Sequence, residues 1–117
     1  MVNGGKAIVT NRIKGSGTEP NYVGWGTGAG TTGATDTTLF TETGTRTAGT
    51  STQQTTTTTN DTYQVVGTLT APSGLTITNA GLFDASTSGN LFIKGDFTGI
   101  VLNTGDSIQF TIKAQFS

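Results

Sequence analysis

The sequence of 117 residues predicts an all-β fold, and three observations predict it. The first is composition: 28 residues are Thr and 18 are Gly, and the branched Thr side chain suits a pleated surface. The second is that no stretch places apolar residues at i, i+3, i+4 and i+7, the stripe an amphipathic helix needs. The third is the C-terminal stretch, where Ile108, Phe110, Ile112, Ala114 and Phe116 alternate with Ser107, Gln109, Thr111, Lys113 and Gln115. That alternation is the signature of a half-buried strand. The expected architecture is an antiparallel β-sandwich of jelly-roll type with essentially no helix. Residues 1–117 would form one domain, since single domains mostly run roughly 100 to 150 residues.

Taken in order, Lys6 to Ile13 reads as a strand with Ile8 inward, joined by Val9 or Ile13. A second strand, Asn21 to Gly26, centres on Tyr22, Val23 and Trp25. Gly24, Gly26, Gly28, Gly30 and Gly33 then punctuate a loop leading to Leu39 and Phe40. From Thr41 to Thr62 there are twelve Thr and no Val, Ile, Leu or aromatic residue. A segment without large apolar side chains contributes little core. Thr43 to Thr52 and Gln54 to Thr62 are therefore expected as exposed strands or an extended loop, solvated or covered by a partner. Part of this half is expected to take its order from neighbours.

The second half is more regular. Thr62 to Thr70 reads as a strand, followed by Ala71, Pro72, Ser73 and Gly74, with Pro and Gly at the type I turn positions. Leu75 to Phe83 and Asn90 to Phe97 read as a hairpin around the loop Ala85 to Gly89, with Gly95 marking a bulge or bend. Gly99 to Leu102 is a short apolar run, and Asn103 to Asp106 is the turn into the last strand. The expected core is Ile8, Val9, Ile13, Val23, Leu39, Phe40, Val65, Leu69, Leu75, Ile77, Leu82, Phe83, Leu91, Ile93, Phe97, Ile100, Leu102, Ile108, Phe110, Ile112 and Phe116.

Much chemistry is excluded by count. Neither Cys nor His occurs, which removes disulfides, thiolate nucleophiles, the usual zinc sites and most Ser-His or Cys-His hydrolase machinery. Six basic and seven acidic residues give a net charge of -1, without the basic footprint that nucleic acid or an anionic membrane requires. The start, Met1 to Lys6, reads neither as a signal peptide nor as a membrane span.

Gly28, Ala29, Gly30, Thr31, Thr32 and Gly33 match the spacing G-x-G-x-x-G. A dinucleotide site needs a helix after that motif and an acidic residue about twenty positions on. Neither is expected here, so a flexible loop is the better reading. Asp84, Ser86, Ser88 and Gly89 echo a calcium loop, yet Gly95 stands where the bidentate Glu would fall. Glu19, Glu42, Asp61, Asp84 and Asp106 read as solvated loop carboxylates rather than a glycosidase pair. The T-x-T spacing resembles an ice-binding surface, but no fixed coil period accompanies it. No enzymatic activity, metal or cofactor is expected. Trp25, with Tyr22 nearby, is either a recognition platform or a core residue. The candidate partner-binding residues are Tyr22, Trp25, Arg46, Thr55, Thr57 and Thr59.

The segment Ile77 to Phe97, with Gly-Leu-Phe-Asp at residues 81–84, and the stretch Gly105 to Thr111 resemble a pattern in small virion proteins of tailed bacteriophages. In that pattern a strand ending in Gly-Leu-Phe-Asp turns through small residues into a second strand, and a Gly-Asp turn launches the last one. The likeness covers about half the chain, and its motifs are structural. It implies a head decoration, or cement, protein that binds and stabilises the major capsid protein shell. It also implies manufacture in the host cytoplasm, a place on the capsid surface, and a homo-oligomer, a trimer being one option. The alternative it leaves is a tail or tail-fibre component that binds host surface polysaccharide.

Overall fold

The computed structural model describes all residues, Met1–Ser117, and is mostly β. A helix, α1 (Asn3–Lys14), precedes seven strands: β1 (Tyr22–Gly26), β2 (Glu42–Ala48), β3 (Thr50–Gln54), β4 (Thr62–Thr70), β5 (Leu75–Phe83), β6 (Leu91–Leu102) and β7 (Ser107–Gln115). They form two antiparallel sheets, the first in the order β2-β1-β5-β6 and the second in the order β3-β4-β7.

One core joins the sheets. Val23, Trp25, Ile77, Ala80, Leu82 and Phe92 come from the first sheet, and Val65, Leu69 and Ala114 from the second. Trp25 meets Phe110 edge to face at 6.3 Å between ring centroids, a geometry that aromatic quadrupoles favour. Where β1 crosses β4, a side-chain carbon on Gly67 would lie 2.7 Å from Val23 Cγ2, so only Gly permits that approach. Only Gly49 separates β2 from β3, and its N–H donates to the Asn21 carbonyl at 2.8 Å. The chain thereby passes from one sheet to the other without a loop.

The expected strand at Lys6 to Ile13 is instead the helix, which corrects the expectation of essentially no helix. Its N-cap, Val2, supplies no capping side chain, and its apolar stripe is thin: Ile8 is buried, Val9 partly so, and Ile13 is 81% exposed. The helix signal lies at the other end. Gly15 adopts a left-handed φ of 90°, and the N–H groups of Gly15 and Ser16 donate to the carbonyls of Arg12 and Asn11 at 3.0 and 2.8 Å. This is the C-terminal closure that Gly permits, with Arg12 and Lys14 in the last turn, where cations suit the helix dipole. Gly5 lies flush against the Phe92 carbonyl, and Ile8 enters the shared core.

β6 runs unbroken through Gly99, uniting two expected pieces. The irregularity expected at Gly95 lies elsewhere: Gly95 pairs in register with Ala80, and the shifts fall between Ile77 and Asn79 and between Leu82 and Phe83. Ile13, Ile100 and Phe116 are exposed rather than core, whereas Val2, Trp25, Ala71, Ala80, Phe92 and Ala114 are buried. A second, smaller cluster of Val2, Leu39, Phe83 and Leu91, flanked by Tyr22, lies apart from the shared core.

Candidate functional site

Trp25 is 2% exposed and belongs to the shared core. Tyr22 packs against the smaller cluster. Three residues apart on a strand with alternating faces, they do not form a joint platform. Trp25 does lie at the bottom of a cleft of about 360 Å³ between β2 and β4, where Thr45, Thr47, Thr68, Thr70 and Pro72 also line the wall.

Arg46 is fully engaged inside the molecule. Its guanidinium makes a two-pronged pair with Glu42 at 2.7 and 3.0 Å and donates to the carbonyls of Ala85 and Ser88 at 2.8 and 2.7 Å. It also stacks over the Phe83 ring at 3.4 Å. Planar, forked donors suit this combined role. Arg46 therefore pins the β5–β6 loop. Asp84 secures the loop from within, accepting the backbone N–H and side-chain amide of Asn90 at 2.7 and 3.1 Å. Left-handed Ser88 and Gly89 complete the turn.

Thr55 to Thr59 do not continue a strand. They form an exposed loop folded around the Asp61 carboxylate, which accepts the N–H groups of Thr56, Thr57 and Thr58 at 2.8, 3.1 and 3.0 Å. The Thr62 hydroxyl donates to it at 2.9 Å, and the Gln115 amide reaches both Thr57 and Asp61. Backbone donors, Thr58 foremost and then Thr56, hold this carboxyl far below the ordinary aspartate range. Thr55, Thr57 and Thr59 are thus presented at one tip of the second sheet, remote in chain and partners from the Arg46 clamp.

The G-x-G-x-x-G segment has a packing explanation. A side-chain carbon on Gly30 would fall 2.6 Å from the Phe40 ring, so this Gly lets the loop lie against it. The Asn79 amide accepts the Phe40 N–H at 3.0 Å and donates to the Phe40 carbonyl at 3.1 Å. The Thr78 hydroxyl donates to the Gly28 carbonyl. Lys94, its side chain 1% exposed, pairs with Asp36 at 3.1 Å, donates to the Thr38 carbonyl at 2.9 Å and sits 3.2 Å above the Phe40 ring. The Gly33 N–H, first, and Lys94 hold the Asp36 carboxyl below its usual value. The Asp36, Thr78, Asn79 and Lys94 side chains together hold residues 27–41 across the outside of the first sheet, whereas the Thr32 hydroxyl is buried without a partner.

The second sheet's outer face is bare by comparison. The β7 residues Ile108, Phe110, Ile112 and Ala114 point to the core, so Ser107, Gln109, Thr111, Lys113 and Gln115 point out. The register places Thr68 beside Gln109, Val66 beside Thr111 and Gln64 beside Lys113, with Thr50 and Thr52 continuing the rows on β3. The result is a face mainly of hydroxyls and amides, with Val66 among them, on which Lys113 is the one charged side chain. Its β7 half was legible as the polar set of the alternation; its β3 and β4 halves required the register. No protein-family model, curated protein or solved structure matches the chain.

Proposed function

We propose that this chain is a structural protein of a tailed-phage virion, a head decoration protein that docks on the major capsid protein and stabilises the shell. The observation that carries the reading is the broad, nearly uncharged outer face of the second sheet, held rigid by the core behind it. Such a face serves adhesion: many modest contacts over an area, repeated across copies on a lattice, give avidity without chemistry. The phage-like Gly-Leu-Phe-Asp segment is consistent with it, since it forms the pinned β5–β6 hairpin. In this reading the two sheets are a β-sandwich, and its seven strands stand one short of the eight of a jelly roll.

The test is binding of purified protein to capsids that lack it, with Thr68→Glu and Gln109→Glu as face variants. Saturable binding by the wild type, lost in the variants while their circular dichroism is unchanged, is the expected result. Absence of binding, together with recovery of the protein only from tail fractions, would overturn the reading. The Trp25 cleft favours a second reading, a tail component that binds polysaccharide; a glycan array comparing wild type with Trp25→Phe separates the two.

A further inference from the structure

Trp25 is the only Trp of the chain and, at 2% exposure, among its most deeply buried side chains. An indole N–H in such a position ordinarily finds an acceptor inside the protein. This one donates to no backbone or side-chain oxygen. It is not sealed off either, because the Thr32 hydroxyl is the one fully enclosed side-chain polar atom left unpaired. The Nε1 edge opens instead on the cleft between β2 and β4, where Gly44 lies beside it: a side-chain carbon on Gly44 would fall 4.0 Å from Nε1. The ring itself is packed in the core against Phe110, so the cleft is offered the N–H edge rather than a stacking face.

The cleft exists because the chain changes sheets at Gly49. β3 pairs with β4 only as far as Thr50 and Val66, and on the other side of Gly49 the chain belongs to β2 and pairs with β1. Residues 67–70 of β4 therefore have β7 on one side and no strand on the other. β2 also bulges here: Gly44, Thr45 and Arg46 together stand opposite Gly24 alone, with Gly44 at a left-handed φ of 73°. A bulge re-aims side chains and interrupts the ladder that an added peptide strand would extend. What the walls do present is hydroxyl. Those of Thr45, Thr47 and Thr68 make no hydrogen bond within the protein, whereas Thr70 is paired with Ser107 at 2.7 Å. Leu69 and Pro72 supply apolar wall, and no lining residue is charged.

We propose that this cleft binds one neutral sugar ring, the Trp25 N–H donating to a sugar oxygen and the free Thr hydroxyls serving the neighbouring sugar hydroxyls. Its volume of about 360 Å³ stands at the lower end of ligand sites, about 300–1,000 Å³, which suits one ring rather than a chain of them. A Thr hydroxyl both donates and accepts, as a sugar hydroxyl does, and the Thr methyls and Pro72 meet the ring's C–H groups. The uncharged lining disfavours uronic acids and sugar phosphates, whose anions would lose hydration and gain no cation in return. The assignment rests on the polysaccharide reading of this cleft, but not on a place in the tail.

A nitrogen–proton NMR correlation spectrum tests it, because the sole Trp gives a single indole resonance. Titration at millimolar concentrations with D-glucose, D-galactose, D-mannose and N-acetyl-D-glucosamine should shift that resonance saturably for at least one of them. D-glucuronate and glucose phosphate should bind at least ten-fold more weakly. Gly44→Asn places an amide beside the N–H while retaining a residue type that tolerates the left-handed backbone, and Thr45→Val/Thr47→Val removes two hydroxyls at nearly constant shape. Each should weaken binding about ten-fold with circular dichroism unchanged. The assignment falls if no neutral sugar shifts the resonance, if glucuronate or an uncharged tripeptide amide binds as tightly, or if both folded variants bind like wild type. A positive glycan array with an unmoved indole resonance would remove this site and leave polysaccharide binding to another surface. A sugar-dependent shift in a protein recovered only from heads would uphold the site and overturn the tail reading alone.

Discussion

Replacing Asn79 with Ala should destabilise the fold by about 3–5 kcal/mol. Asn79 is fully buried, and its amide makes two hydrogen bonds to the Phe40 backbone, at 3.0 and 3.1 Å. Each is worth about 1 kcal/mol net, and a main-chain group left unpaired away from water adds about 1–3 kcal/mol. Those bonds anchor the end of the 27–41 loop, so the loss is shared between the loop and the sheet beneath it. Urea titration followed by Trp25 fluorescence should show the midpoint falling by about 1–3 M with the slope unchanged. Asn79→Asp sharpens the test. Its carboxylate would retain the bond from the Phe40 N–H but confront the Phe40 carbonyl, so its folded-state pKa should rise above the unfolded value. A carboxyl shifted upward favours folding below the unfolded pKa and loses that advantage as pH rises through the folded one. The Asp variant should therefore be closer to wild type at pH 3 than at pH 7. A drop under 1 kcal/mol for Ala, or a gap for Asp that widens on acidification, would refute the assigned hydrogen bonds.

Acid should loosen the Thr55–Thr59 loop early. The Asp61 carboxyl is held below its ordinary 3.8, so its contribution is complete above the unfolded pKa and is lost as pH falls toward the folded value. Protection factors against hydrogen exchange at Thr56, Thr57 and Thr58, corrected for the intrinsic rate, should fall below about pH 4 in wild type, and Asp61→Asn should show lower protection at neutral pH with a flatter pH response. Gly67→Ala should cost about 1–3 kcal/mol through overpacking against Val23, and Val23→Ala should recover part of it in a double-mutant cycle measured by thermal melts. Arg46→Lys cannot reproduce the forked pair with Glu42 and the reach to two loop carbonyls. Limited proteolysis within residues 84–90 should therefore speed up while the melting temperature changes little.

Strands whose pattern carries its own period were legible. The alternation from Ile108 to Phe116 gave β7, and the expected Thr62–Thr70 and Leu75–Phe83 agree with β4 and β5. The helix was not legible because Gly4 and Gly5 weaken its propensity and its docked face is largely Ile8 and Val9. Its one clear signal, Gly15 after Arg12 and Lys14, is a cap rather than a stripe. For Thr55 to Thr59 propensity left an exposed strand or an extended loop open, and the loop forms because Asp61 offers three N–H groups a nearer acceptor than a neighbouring strand does. Among the candidate site residues, Arg46 was visible as a lone cation, but not its use. Its partners Ala85 and Ser88 lie about forty positions away and contribute only backbone carbonyls, which no composition can reveal.

The pairing of β1 with β5 also governs when the fold can form. β1 needs residues 79–83 to complete its sheet, β4 needs β7, and α1 docks beside Phe92. β1 can pair with β2, and β3 with β4, as soon as those residues emerge, but neither sheet can close until the second half has been synthesised, and distant pairings of this kind slow folding and expose intermediates to aggregation. A waiting segment from Thr41 to Thr62 with no Val, Ile, Leu or aromatic residue offers other nascent chains little to adhere to. By composition it is the part of the unfinished polypeptide least able to seed an aggregate, a property that acts before the native structure exists.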